Sequence, residues 1–127
     1  MRRLIAASVL PHCCLIAAQP PAPATPAMSA IVLATLNARW SHASLGLRCL
    51  RANLGALRDD SEIAEYTIAR PAREIVADLL ARAPRIVGFG VYIWNVTQTT
   101  EVIARLKAAA PEVTVVVGGP EVSHEAE

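Results

Sequence analysis

The chain has 127 residues, enough for one domain, and 54% of them are hydrophobic while 18% are charged. This composition excludes a disordered chain. The net charge is +1 at pH 7 and no cluster of Lys or Arg is interleaved with aromatic residues, so we expect no nucleic-acid partner.

Residues 1–28 differ in composition from the rest of the chain. Two arginines, an apolar stretch and small residues imitate a secretory signal, but Pro11 and His12 leave the apolar stretch too short to span a bilayer. A linker rich in Pro and Ala follows and runs up to Met28. We favour an extension upstream of a start at Met28 over an export signal, and therefore expect a cytoplasmic protein with no membrane partner.

The first predicted strand and helix lie within residues 31–57. Residues 31–36 (IVLATL) form a short apolar run, typical of a strand covered on both faces. After the loop NARWSHASLG, apolar residues recur at helical spacing, although Gly55 weakens the last turn. That apolar stripe comprises Ala43, Leu47, Leu50, Leu54 and Leu57.

The second strand and helix follow directly. Residues 62–68 (EIAEYTI) carry two glutamates, which indicates a more exposed strand at a sheet edge. Pro71 suits the first turn of the next helix and Pro84 ends it. The apolar stripe of this helix comprises Ala72, Ile75, Val76, Leu79 and Leu80.

The remaining pattern is strand, helix and strand. Residues 85–93 (RIVGFGVYI) predict a second buried strand, in which Gly88 and Gly90 would permit close helix packing. A helix ending at Pro111 follows, and residues 113–120 (VTVVVGGP) predict a third buried strand that runs into a Gly-Gly-Pro turn. The apolar side of the helix comprises Thr99, Val102, Ile103 and Leu106.

The order of the elements predicts an α/β fold with a doubly wound parallel sheet, incomplete at four strands and three helices. An open sheet edge, an uncovered face and marginal stability are then expected. Ligands of such sheets bind beyond the carboxyl ends of the strands. The exits of the three buried strands (NARWSHASLG, YIWN and GGPEVS) are polar or aromatic and share that edge. They therefore predict a binding site there.

The three cysteines predict no disulfide framework and no metal site. Cys13, Cys14 and Cys49 form no C-x-x-C pair, which gives neither a disulfide framework nor a zinc motif. At its helical position Cys49 is predicted to be a small buried hydrophobe, and a reducing compartment fits best.

Four segments carry a resemblance to a known family: TLNARWSHASLGLRCLRANL, EYTI, IVGFGVYIWNVTQT and VVVGGPEVS. Through them residues 29–127 resemble the N-terminal cobalamin-binding domain of cobalamin-dependent radical S-adenosylmethionine (SAM) proteins. The resemblance implies a Rossmann-like domain of flavodoxin-type strand order, and a corrinoid that lies across the carboxyl edge with its nucleotide tail beside the sheet. In that family a catalytic barrel with a four-iron cluster and a SAM site follows.

The resemblance also implies the residues that would bind the cofactor. Glycines would allow a flat ligand near the backbone, Tyr92 and Trp94 would offer apolar faces, and Ser44 and Asn95 would cap helices or donate to the ligand. The implied walls are Ser41, His42, Ser44, Leu45 and Gly46 from the first strand, Tyr92, Trp94 and Asn95 from the third, and Gly118, Gly119, Pro120 and Glu121 from the fourth.

Two departures from relatives of this class limit the chemistry. Cobalamin domains with D-x-H-x-x-G supply a histidine to cobalt, whereas here His42 precedes Gly46 by one residue too many and Trp40 replaces the Asp. We therefore expect no metal ligand. The barrel's C-x-x-x-C-x-x-C motif does not occur in the sequence. No catalytic residue is assigned, and the cluster and SAM would belong to a barrel that is missing or encoded separately.

Two other functions remain open at this stage. In a flavodoxin-like domain for flavin mononucleotide, Ser41, Ser44 and Gly46 could ring a phosphate at a helix start. In an interaction module without ligand, Gly118 and Gly119 would form only a tight turn, and the aromatic residues would pack a helix onto the sheet. The dinucleotide and phosphate-loop glycine motifs do not occur.

Overall fold

The computed structural model describes residues 29–39 and 43–123, so the signal-like segment 1–28 lies outside the described residues. The strands are Ile31–Asn37 (β1), Ser61–Thr67 (β2), Ile86–Gly90 (β3) and Thr114–Gly118 (β4). The helices are Leu45–Ala52 (α1), Ala72–Ala81 (α2), Val96–Ala109 (α3) and Pro120–Ser123 (α4), with a 3-10 turn at Gly55–Leu57.

The four strands form one sheet in the order β2-β1-β3-β4, and every pairing is parallel. This confirms the predicted doubly wound fold, the flavodoxin-type order and the edge position of β2. The register places Thr35 opposite both Glu65 and Gly90, and Gly90 opposite Gly118. The carboxyl ends of all four strands therefore meet at one edge.

One face of the sheet carries the main core, beneath α2 and α3. The predicted stripes of both helices are confirmed, since Ile75, Leu79, Val102 and Leu106 are completely buried. They pack in one cluster with alternate residues of β1 and β3, among them Phe89. Each such side chain contributes about 1.5–3 kcal/mol through burial, so this half of the molecule holds most of the hydrophobic stabilisation.

The opposite face is only partly covered, because α1 packs over β1 and β2. The predicted stripe of α1 is wrong beyond its centre. The helix ends at Ala52, and Gly55 has a φ of +57°, in the left-handed region that interrupts a helix. Leu47 is buried, whereas Leu50 and Leu57 are half exposed, and Cys49 is exposed rather than buried.

The last strand also differs from its prediction. β4 has a neighbour on one side only among the described residues, so Val116 and Val117 are 53% and 46% exposed instead of buried. An apolar sequence alone does not distinguish an edge strand from a central one. The other differences are that β3 ends at Gly90 and that α4 begins at Pro120, in addition to the three predicted helices.

Candidate functional site

Three chain segments converge at the carboxyl edge of the sheet, around Tyr92. The segment before and into α1 brings Ser44 and Gly46, and the exit of β4 brings Gly119. Tyr92 and Gly46 line two neighbouring cavities, which therefore share a wall. The predicted meeting of the exits of β1, β3 and β4 is therefore present in the described residues.

The first cavity, the rim cavity, has a volume of about 410 Å³ and lies between the exits of β1 and β3. Its walls come from the end of β1, the start of α1 and the loop after β3. They include Asn37, Ser44, Leu45, Gly46, Tyr92 and Trp94. The rings of Trp94 and Tyr92 give this cavity broad apolar walls, and the hydroxyl of Ser44 is one of its few polar groups.

The second cavity, the sheet groove, has a volume of about 250 Å³ and runs between α1 and the uncovered half of the sheet. Leu50 forms one side and Val116 the other, while Gly88 and Gly90 lie along its floor. These glycines do not serve the close helix packing predicted for them, since α1 lies over β1 and β2. They leave an apolar slot instead.

Tyr92 and Trp94 form a parallel stack, with ring centroids 4.6 Å apart and planes inclined by 6°. Trp94 remains half exposed although it is large and apolar, and Leu45 across the rim cavity is 72% exposed. The stack thus lies against open space rather than packing a helix onto the sheet. An exposed aromatic surface that borders a cavity is typical of a binding site.

Asn95 holds the loop after β3 in place. Its side chain is 1% exposed. Its Nδ2 donates to the carbonyls of Leu36 (3.0 Å) and Gly90 (3.1 Å), and its Oδ1 accepts from the backbone N–H of Tyr92 at 2.8 Å. The side chain makes no capping bond to α3. It therefore connects the ends of β1 and β3 and orients Tyr92 without facing the rim cavity.

Ser44 caps α1 as predicted, because its Oγ accepts from the N–H of Leu47 at 3.3 Å. Its own N–H donates to Oε1 of Glu65 at 2.7 Å, and the same carboxylate pairs with Arg48. Glu65 was not among the predicted site residues, because a glutamate in this strand indicated only an exposed sheet edge. Glu65 anchors the start of α1 and so positions one wall of the rim cavity.

Gly119 is the residue that the β4 exit requires to be glycine. Its φ is +119°, and a Cβ there would lie 2.3 Å from the carbonyl oxygen of Val91. The preceding carbonyl, of Gly118, accepts from the N–H of Val91 at 2.7 Å, which fixes the two strand exits together. Pro120 and Glu121 lie in the first turn of α4 and are exposed.

The predicted site residues Ser41 and His42 lie outside the described residues, as does Trp40. Within residues 29–39 and 43–123, no three His, Cys, Asp or Glu side chains are grouped so that they could hold a metal ion. Across the same ranges, no helix has the length and apolarity required to cross a bilayer.

Comparison with known proteins shows the family of the chain. The chain has no significant match among curated proteins or among solved structures. The model of the B12 binding domain family matches residues 31–127, which include every described element of the fold. The chain therefore belongs to the B12 binding domain family.

Proposed function

We propose that the chain is a cobalamin-binding module that holds the corrinoid across the carboxyl edge of its sheet. The observation that carries this proposal is that the rim cavity and the sheet groove adjoin at the carboxyl edge, where Tyr92 and Gly46 line both of them. A corrin ring is too large for either cavity, but a ring resting on the rim could send its nucleotide tail into the groove beneath.

The residues present fit such a group. The groove is apolar and narrow, as an aromatic base of the tail requires, and its glycine floor lets a flat group approach the strand backbone. The exposed Trp94 and Leu45 would lose their contact with water under the ring. In this proposal Ser41, His42, Ser44, Gly118, Pro120 and Glu121 complete the walls, while Asn95 acts by positioning Tyr92.

We further propose that the module serves a radical SAM protein in the cytoplasm. When bound, the corrinoid supplies a cobalt centre that relays a methyl group or assists a radical rearrangement. The described residues would bind and orient the cofactor, and the iron-sulfur cluster and SAM would belong to a separate barrel. This division of roles is supported by the resemblance of the segments quoted above.

A titration of the full chain with hydroxocobalamin tests the binding proposal. We expect a saturable change in the visible spectrum of the cobalamin, and no quenching of flavin mononucleotide fluorescence in a parallel titration. Flavin quenching without a cobalamin response would favour the flavodoxin-like alternative. If neither ligand responds, the chain is an interaction module and the proposal fails.

Two matched pairs of variants locate the binding. Leu50 and Leu57 are 50% and 52% exposed, but of the two only Leu50 lines the groove. We expect Leu50→Gln to weaken cobalamin binding by roughly tenfold, and Leu57→Gln to leave it unchanged. The same contrast is expected between Trp94→Ala and Ile93→Ala, because Ile93 is exposed but lines neither cavity. Equal effects within a pair would contradict the assignment.

A further inference from the structure

A third cavity lies on the other face of the sheet, near the carboxyl ends of β1 and β2. Its volume is about 320 Å³, and it opens between the start of α2 and the first three turns of α3. We call it the arginine pocket, because its walls include Arg70, Arg73 and Arg105. Its location between the start of α2 and α3 separates it from the groove beside α1.

The walls of the arginine pocket are strongly cationic. Three guanidinium groups face one lining carboxylate, that of Glu101, which leaves an excess of two positive charges. Glu74 lies outside the lining, 3.9 Å from Nε of Arg70 and from Nη2 of Arg73, and offsets part of this excess.

Most of the arginine donors in the pocket are unused. Among the described residues, the guanidinium groups of Arg70 and Arg73 donate no hydrogen bond. Arg70 is held over the ring of Tyr66, 5.2 Å from its centroid, and Arg105 donates through Nε to Glu101 at 2.8 Å. A guanidinium group is planar and has several N–H donors, so one that donates to no other group is suited to bidentate contact with an oxyanion.

We propose that the arginine pocket binds a dianion of the phosphate class, either inorganic phosphate or the phosphate group of a small monoester. The charge of such a group balances the excess of the lining, and its oxygens accept from several N–H groups at once. Gln98 also lines the pocket, and its side-chain amide is held in place by a hydrogen bond from Nε2 to the carbonyl of Ile68. This inference does not depend on cobalamin binding.

The test follows backbone amide and arginine Nε resonances of the full chain while sodium phosphate, glycerol phosphate or succinate is added, with sodium chloride at equal ionic strength as the reference. We expect saturable shifts at Arg73 and Arg105 with phosphate or the monoester. Saturation by glycerol phosphate at lower concentration than by phosphate would identify a monoester as the source. Shifts that follow ionic strength alone, or saturation by succinate only, would overturn the proposal.

Exposed arginines provide variants that keep the fold. The side chain of Arg73 is 77% exposed, so we expect Arg73→Gln to fold normally and to raise the dissociation constant for phosphate by roughly threefold. Arg58→Gln removes the same charge from the turn before β2 and should leave binding unchanged. Equal weakening by the two variants would contradict the site.

Glu101 supplies a test in the opposite direction. It pairs with Arg105 one turn further along the same helix, α3. Glu101→Gln frees that guanidinium and removes the only lining carboxylate, so we expect phosphate to bind roughly three- to tenfold more tightly. Unchanged or weaker binding in this variant would overturn the proposed role of the lining charge.

Discussion

Single residues at the carboxyl edge fix the shape of the proposed site before any ligand is considered. Gly119 has a backbone conformation that other residues rarely adopt, and its neighbour Val91 leaves no space for a side chain. Its contribution is therefore to conformation and close packing. The glycine before it, Gly118, has open space around its Cα.

This contrast between adjacent glycines gives the first prediction. We expect Gly119→Ala to lower the free energy of unfolding by about 2–4 kcal/mol, through backbone strain and the clash with the Val91 carbonyl. Gly118→Ala should change it by less than about 0.5 kcal/mol. Urea denaturation of both variants measures the difference, and equal values for the two would show that the turn is not constrained as described.

Asn95 gives a second prediction at this scale. Asn95→Ala leaves buried backbone groups of Leu36, Gly90 and Tyr92 without this partner, and should cost about 2–4 kcal/mol of unfolding free energy. Asn53, an exposed amide at the end of α1, is the matched control, with an expected loss below about 1 kcal/mol for Asn53→Ala. Denaturant unfolding measures both losses, and similar losses of unfolding free energy in Asn95→Ala and Asn53→Ala would refute the anchoring role.

The resemblance to cobalamin-binding domains implied Tyr92, Trp94 and the two glycines as site residues, and the predicted meeting of the strand exits at one edge agreed with it. The sequence could not distinguish Asn95 as an anchor from Asn95 as a ligand contact. An asparagine after a strand fits both roles. Only the hydrogen bonds from its Nδ2 to the carbonyls of Leu36 and Gly90 identify it as an anchor. Glu65 was missed for a related reason, since its partner Ser44 is 21 residues away in the chain.

At the scale of elements, β2 and α2 are joined by a charged cluster distant from the proposed cobalamin site. Asp78 accepts from the hydroxyl of Tyr66 at 2.6 Å and from Arg82, which also pairs with Glu62 at 2.9 Å. Partial burial alone would raise the pKa of Asp78. The hydrogen bonds from Tyr66 and Arg82, with the charges of Arg82 and Arg70, outweigh it and hold that pKa below its ordinary value of 3.8.

A folded-state pKa below the unfolded one means that Asp78 stabilises the fold above pH 4 and loses this contribution as the pH falls through the folded value. We expect Asp78→Asn to cost about 1–2 kcal/mol at pH 7. The gap between wild type and variant should shrink as the pH is lowered below 4. Thermal unfolding from pH 3 to pH 7 measures it, with the exposed Asp59→Asn as control, and a gap that is constant with pH would contradict the pairing.

Periodicity predicted the four strands and the two long helices, because their apolar faces are buried as the pattern requires. Besides the break at Gly55 and the edge position of β4, its prediction of burial failed in α1 and β4 for one shared physical reason. Leu50 and Val116 belong to apolar runs that have the spacing of buried elements, yet both border an open groove. Sequence pattern records that a residue is apolar, but whether a protein element or a ligand covers it depends on the tertiary arrangement.

For the molecule as a whole, the two faces of the sheet differ in kind. The face under α2 and α3 has a closed apolar core, while the face under α1 leaves an apolar groove that reaches the rim at Tyr92. The fold thus concentrates packing on one side and keeps the other available. Cobalamin should increase stability by covering the open side, in proportion to its saturation.

The most direct measurement is a map of backbone amide resonances of the full chain, with and without cyanocobalamin. Binding across the carboxyl edge predicts simultaneous changes at Gly46, Tyr92 and Gly119, which lie far apart in the sequence and meet at the two cavities. Amides at the opposite ends of the strands, such as those of Ile31 and Ile86, should remain unchanged. Changes confined to one of the three segments, or centred on the opposite ends, would contradict the account.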